Sequence, residues 1–79
     1  MITHKISFLH NKFNMRWHID LPFRLHKGDI VNISLLNKGD LIYGSLTDEW
    51  IDFCSRSPRF EIKYIEIAAD MSIFVILCN

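Results

Sequence analysis

Residues 15–21 read Met-Arg-Trp-His-Ile-Asp-Leu, and this stretch decides the fold class. Apolar and polar side chains alternate at every position, which is the two-residue period of a β-strand with one buried face. The apolar face includes the tryptophan, so we expect Trp17 to lie in the core. Arg16 and His18 lie on the opposite face, which we expect to contact water.

Alternation extends toward the N-terminus. Ile2, Ile6 and Phe8 share one face of an earlier strand, and residues 11–14 supply turn-forming side chains. The sequence therefore predicts an antiparallel hairpin over residues 2–21.

A second hairpin is predicted in the middle of the chain. Its first strand begins at Gly28-Asp29 and continues through Leu35, because alternate residues are apolar. Residues 37–40 read Asn-Lys-Gly-Asp, which is typical of a hairpin turn in which the glycine adopts a positive φ. Residues 41–46 form the returning strand.

At Thr47 the spacing of apolar residues changes from the two-residue period of a strand to the period of a helix. This threonine is a candidate N-cap, and the two acids after it suit a first helical turn. Four apolar side chains then recur at helical spacing: Trp50, Ile51, Phe53 and Cys54. We predict one short helix over about residues 48–56, with this face buried and Cys54 as a core thiol.

The last third of the chain predicts two more strands. Residues 59–67 change phase at Tyr64-Ile65, which we interpret as a β-bulge. Residues 71–78 are apolar on both faces of the final strand. We therefore predict a homodimer in which the outer residues Phe74 and Ile76 form the self-association surface; the competing explanation is that this strand is central in the fold.

These elements indicate a mainly β fold in a single domain over residues 1–79. We predict a small antiparallel, partly open barrel of about six strands with one short helix, because a barrel limits exposed strand edges. A two-layer arrangement with the helix on one face of a sheet is the alternative.

The loop after the Trp17 strand resembles a known group of proteins. Leu21-Pro22 ends a strand and Gly28-Asp29 opens the next one. This pattern is similar to that of small bacterial proteins with a Src-homology-3-like barrel, which often carry a helical insertion before the last two strands. The resemblance covers the order of elements over residues 15–78 and implies a barrel. It implies no activity, because one fold hosts many functions.

Residue patterns typical of catalysis, metal binding or cofactor binding do not occur in the sequence. The four histidines, His4, His10, His18 and His26, are expected at the surface. We therefore predict a non-catalytic binding or assembly module with no metal and no cofactor, whose protein partner the sequence does not identify.

Single-stranded nucleic-acid binding is the alternative function. Basic side chains interleave with aromatic ones in the first third of the chain, and the candidate contact residues are Lys12, Arg16, His18 and Arg24. Nine Lys and Arg residues balance nine Asp and Glu residues, which argues against strong phosphate affinity.

The sequence also predicts a cytoplasmic protein without a membrane partner. The first ten residues lack the pattern of a signal peptide. The longest apolar run, residues 73–78, is far shorter than the roughly 20 residues of a membrane-spanning helix. Two cysteines in such a chain are expected to be reduced.

Overall fold

A computed structural model describes residues 1–78, which form seven strands, a 3-10 helix and an α-helix. The strands are β1 (Ile2–Leu9), β2 (Asn14–Leu21), β3 (Ile30–Asn32), β4 (Asp40–Tyr43), β5 (Arg59–Glu61), β6 (Tyr64–Ile67) and β7 (Ile73–Cys78). The 3-10 helix spans Ile33–Lys38, and the α-helix, α1, spans Asp48–Arg56.

Five of the strands form one sheet in the order β4-β2-β1-β7-β6. The predicted first hairpin is confirmed, since β1 and β2 pair antiparallel from Ile2 opposite Leu21 to Leu9 opposite Asn14. β7 pairs parallel with β1 and antiparallel with β6, so the final strand lies in the interior of the sheet. β3 and β5 form a separate two-stranded ladder.

The mainly β, partly open architecture predicted from the sequence is confirmed. Within residues 1–78 the five-stranded sheet does not close on itself, because β4 and β6 are its two edges. The pairing is antiparallel except between β1 and β7, a parallel pair that the sequence did not predict.

One face of the five-stranded sheet packs into the core. Trp17, from β2, is fully buried, as its place in the alternating strand predicts. Its ring lies 5.3 Å from that of Trp50 in α1, and the ring of Phe8 lies 5.2 Å from Trp50 in an edge-to-face arrangement. These large side chains join α1 to the sheet by burying apolar surface.

The helix forms as the sequence predicts. Oγ1 of Thr47 accepts a hydrogen bond from the backbone N–H of Trp50 at 3.2 Å, which satisfies a free donor of the first turn. Trp50 and Cys54 are buried, but Ile51 is exposed, so the prediction that Ile51 belongs to the buried face is wrong. Within residues 1–78, no helix has the length and apolar character that crossing a bilayer requires.

The predicted third strand is shorter than expected. Oδ1 of Asn32 accepts a hydrogen bond from the backbone N–H of Ser34 at 3.0 Å, and this cap begins a 3-10 helix where the alternation predicted strand. Ile33 and Leu36 are the buried residues of that helix. Their spacing of three places them on one side of a 3-10 turn.

The predicted turn at residues 37–40 is also different. These residues end the 3-10 helix and lead into β4, which pairs with β2 instead of β3. Gly39 has an ordinary φ of −92°. A Cβ atom there would lie 2.8 Å from the carbonyl oxygen of His18 and 2.9 Å from Cβ of Ile19, so glycine permits a close approach of two backbones.

The phase change near Tyr64 is a break between sheets, not a bulge. Residues 59–61 pair with β3 and residues 64–67 pair with β7. Between them, Ile62 is fully buried, and its backbone exchanges two hydrogen bonds of 2.9 Å with Asp29 and Gly28. The chain therefore crosses from one sheet to the other at this point.

His4 is buried in the core, so the prediction that it lies at the surface is wrong. Its Nε2 accepts a hydrogen bond from the backbone N–H of Leu25 at 3.1 Å, and Nδ1 lies 3.0 Å from the carbonyl oxygen of Ile2. The acceptor role of Nε2 assigns the proton to Nδ1 of a neutral imidazole. Burial is the main cause that lowers the pKa of His4 below its ordinary value of 6.5.

Candidate binding surface

The side of the five-stranded sheet that faces away from α1 is here called the outer face. Strand register arranges its side chains in two rows that cross the sheet. The first row, from β4 to β6, holds Asp40, His18, Lys5, Phe74 and Glu66, so a carboxylate stands at each of its ends. The second row, from β4 to β6, holds Tyr43, Arg16, Ser7, Ile76 and Tyr64. Basic groups thus lie on the central strands, with aromatic rings on both sides of them.

A groove of about 440 Å³ runs across this face, and we call it the outer groove. Its lining includes Lys5, Arg16, His18, Tyr64, Phe74 and Ile76. Tyr64 is 50% exposed and Phe74 is 36% exposed, so apolar ring surface is open to solvent in the groove. The volume is within the range of about 300–1,000 Å³ that ligand sites occupy.

Arg16 and Tyr43 form one side of the outer face. The guanidinium carbon lies 5.9 Å from the centre of the tyrosine ring, within the range of a cation–π contact. Both side chains are exposed, and Arg16 forms no ion pair with an acid inside residues 1–78. This pair presents a positive charge and a ring face to an incoming ligand.

Lys5 is the second cation, and it already has partners. Its Nζ lies 2.8 Å from Oδ2 of Asp70 and 5.5 Å from the centre of the Phe74 ring. The hydrogen bond from Lys5 is the main cause that holds the pKa of Asp70 well below its usual range, and two hydrogen bonds from Ser72 add to it. The charge of Lys5 is therefore partly neutralised by Asp70, whereas Arg16 has no acidic partner within residues 1–78.

The β6 side of the outer groove is acidic. Glu66 lines it, and Oε2 of this residue accepts a hydrogen bond from the hydroxyl group of Tyr64 at 3.3 Å. Charge is therefore distributed unevenly, with cations on the central strands β1 and β2 and a carboxylate on each edge strand, Asp40 on β4 and Glu66 on β6. An anionic ligand is expected to place its charge over β1 and β2.

The structure brings together four of the residues that the sequence singled out. Arg16 and His18, proposed for nucleic-acid binding, and Phe74 and Ile76, proposed for self-association, all line the outer groove. Two alternative functions thus share one surface. The clustering depends on β7 joining the sheet beside β1, which places the two ends of the chain side by side.

The other two predicted residues lie apart from this groove. Lys12 lies in the turn between β1 and β2 and lines a second cleft of about 500 Å³ beside the first turn of α1. Arg24 is exposed in the loop between β2 and β3 and does not line the outer groove. Variants at Lys12 and Arg24 are therefore controls for the loss of a positive charge outside the outer groove.

Lys5, Tyr43 and Tyr64 belong to this surface but were not predicted from the sequence. Lys5 carried a local signal, because it lies on the polar face of the first alternating strand. The tyrosines carried none, since they lie on the two edge strands and meet the other residues only through long-range pairing.

Ser7, His18 and Glu66 line the outer groove, but within residues 1–78 no hydrogen bond joins any two of these side chains. Cys54 is on the buried side of α1, and burial raises the pKa of its thiol, which keeps it protonated at neutral pH. Among residues 1–78, no group of three or more His, Cys, Asp or Glu side chains could hold a metal ion. The outer groove offers charge, aromatic faces and hydrogen-bonding groups.

Comparison with known proteins identified no relative of this chain. The chain matches no protein-family model, no curated protein and no solved structure. The resemblance to Src-homology-3-like barrels therefore stays a prediction from Leu21-Pro22 and Gly28-Asp29.

Proposed function

We propose that the protein is a non-catalytic binding module and that the outer groove is its binding surface. The observation that carries this proposal is the meeting of Arg16, His18, Phe74 and Ile76 in one exposed groove. Residues that are remote in sequence come together there on four neighbouring strands, with Lys5 and Tyr64 completing the lining.

Exposed apolar surface supports a binding role. Ile42, Tyr64 and Phe74 are between 36% and 55% exposed on one side of a sheet whose other side is buried. Tyr64 and Phe74 lie on adjacent strands, and exposed apolar surface bordered by charged groups is typical of interaction sites. The sheet backbone also holds these side chains in place before the ligand arrives, which lowers the entropy lost on binding.

The burial of two reactive side chains supports a role without catalysis. The thiol of Cys54 and the imidazole of His4 are both in the core, and both are held in their neutral forms by burial. A nucleophile or general base must reach a substrate, and neither side chain does.

A homodimer that joins two outer grooves is the second candidate. The partial exposure of Phe74 favours it, because a second copy would cover this ring together with Ile76. The interior position of β7 removes strand-edge pairing as the reason for association, so the contact would be face to face. We also propose a cytoplasmic location, which two free thiols, Cys54 and Cys78, support.

One matched pair of variants tests the binding surface itself. Phe74→Asp places a charge in the outer groove, and Phe23→Asp places the same charge on an exposed phenylalanine that does not line it. Both are compared with the wild type for self-association, by sedimentation, and for binding of oligo(dT) and oligo(U), by fluorescence anisotropy. Thermal melts confirm that each variant is folded.

We expect at least one of these two interactions to be detected. Phe74→Asp should weaken it, and Phe23→Asp should leave it unchanged. An interaction that survives Phe74→Asp would place the binding surface elsewhere. The absence of self-association and of oligonucleotide binding would also contradict the proposal.

A further inference from the structure

We propose that the ligand of the outer groove is single-stranded nucleic acid, an inference that rests on the proposed function. Bases stack on the rings of Tyr64 and Phe74, which line the outer groove, and on the ring of Tyr43, which lies beside the groove next to Arg16, and phosphates contact Arg16 and Lys5. The juxtaposition of exposed rings and cations across one sheet is the feature that points to this ligand.

All three rings have surface open to solvent, although Arg16 lies over one face of Tyr43 and Lys5 over one face of Phe74. Tyr43 is 57% exposed and Tyr64 is 50% exposed, each on an edge strand, and Phe74 is 36% exposed between them. Every nucleic-acid base has a face that stacks on such rings, so this mode of binding tolerates many sequences. A duplex cannot use it, because its base faces are already stacked on each other.

Arg16 is the phosphate contact with the clearest geometry. Its guanidinium group lies over the ring of Tyr43, so a base stacked beside this pair would have its phosphate within reach of the charge. A planar guanidinium also donates two parallel hydrogen bonds to phosphate oxygens.

The remaining charges predict a weak, oriented complex. Lys5 is shared with Asp70, and the carboxylates of Asp40 on β4 and Glu66 on β6 repel phosphate. Two phosphate contacts at most are therefore expected, which corresponds to a slope of about −1.4 in a plot of log K against log salt concentration for a single strand. These contacts are expected on the central strands β1 and β2.

The width of the sheet sets the length of strand that it can bind. Tyr43 and Tyr64 stand at opposite ends of a row that crosses five strands. Four strand spacings of about 4.8 Å correspond to roughly 19 Å. This length accommodates about six stacked nucleotides, and fewer if the strand is extended.

The test measures binding of fluorescein-labelled oligo(dT) and oligo(U), each of about eight nucleotides, by fluorescence anisotropy. Protein concentration extends to about 100 µM, at salt concentrations of about 50 mM and 200 mM. Tyr43→Ala and Tyr64→Ala are expected to weaken binding roughly 5- to 150-fold each. Phe23→Ala, an exposed aromatic residue outside the groove, is the matched control and is expected to change nothing.

Charge variants test the phosphate contact separately. Arg16→Gln should reduce the magnitude of the salt slope by about 0.7. Lys12→Gln and Arg24→Gln remove the same charge from positions outside the outer groove and should leave the slope unchanged. Comparing oligo(dT) with oligo(U) then shows whether the groove prefers DNA or RNA.

Three results would overturn this assignment: no binding of either oligonucleotide at about 50 mM salt, binding of a fluorescein-labelled DNA hairpin duplex as tight as that of oligo(dT), or binding that is indifferent to Tyr43→Ala and Tyr64→Ala. If self-association alone is found and Phe74→Asp abolishes it, the ligand is a second copy of this chain. In that case the nucleic-acid inference fails while the proposed binding surface stands.

Discussion

Lowering the pH is expected to destabilise the folded protein through His4. The imidazole is neutral in the core, where Nε2 accepts from Leu25, and burial lowers its pKa below 6.5. The nearby charge of Arg24 lowers the pKa further, while the backbone of Ile2 and the charge of Asp20 raise it. In the unfolded chain the same imidazole takes up a proton near pH 6.5.

The sign and the size of the effect follow from this difference. Below pH 6.5 the unfolded state binds more protons than the folded state, so the free energy of unfolding decreases as the pH falls. One proton of difference corresponds to about 1.4 kcal/mol per pH unit. Between pH 7 and about pH 5 the contribution of His4 is therefore at most about 2 kcal/mol, reached if the buried imidazole stays neutral throughout.

The assay is urea unfolding across this pH range for the wild type and for His4→Gln. Glutamine does not titrate, and its amide can accept from Leu25 and donate to Ile2 as the imidazole does. We expect the variant to lose less stability than the wild type on acidification, since the other titrating groups are common to both. Parallel curves for the two proteins would refute this account of His4.

Three further predictions concern the core and the helix. Trp17→Ala should cost about 3–5 kcal/mol in urea unfolding and Arg16→Ala less than about 0.5 kcal/mol, because the first side chain is fully buried and the second is exposed; similar small losses would contradict the packing. Thr47→Ala should cost about 1 kcal/mol through loss of the helix cap, and an unchanged unfolding midpoint would argue against that cap. In a Cys78→Ser background, Cys54 should react with a thiol reagent only as fast as the protein opens, and rapid labelling of the folded protein would contradict its burial.

Local patterns were sufficient to predict the elements that depend on local physics. The alternation over residues 15–21 identified β2 and its buried face, and Thr47 with the acids after it identified α1. Both signals report which side of an element is apolar or how its end is capped, and neither needs information about distant residues.

One local cap and two sets of long-range contacts explain what the sequence did not predict. The apolar spacing at Ile33 suited a strand as well as a 3-10 helix, and the cap from Asn32 decided between them. The change of phase near Tyr64 reflected a move to a different sheet, a distinction that periodicity alone does not make. His4 shared the apolar face of β1, but its polarity suggested the surface, and its partner, Leu25, lies in a distant loop.

The binding surface was predicted in fragments for the same reason. Arg16 and His18 were recognised on one strand and Phe74 and Ile76 on another, each with a different function. Only the parallel pairing of β1 with β7 shows that these residues share one groove.

Amide chemical-shift mapping of the nitrogen-15-labelled protein tests the binding surface most directly. Oligo(dT) is added in one titration, and in the other the concentration of the protein itself is varied to detect self-association. The account predicts that shifts concentrate on outer-face strands, at amides such as those of Lys5, Arg16, Phe74 and Ile76, and leave α1 unchanged. Shifts centred on the first turn of α1 or on the loop around Arg24 would contradict the assignment of the outer groove as the binding surface.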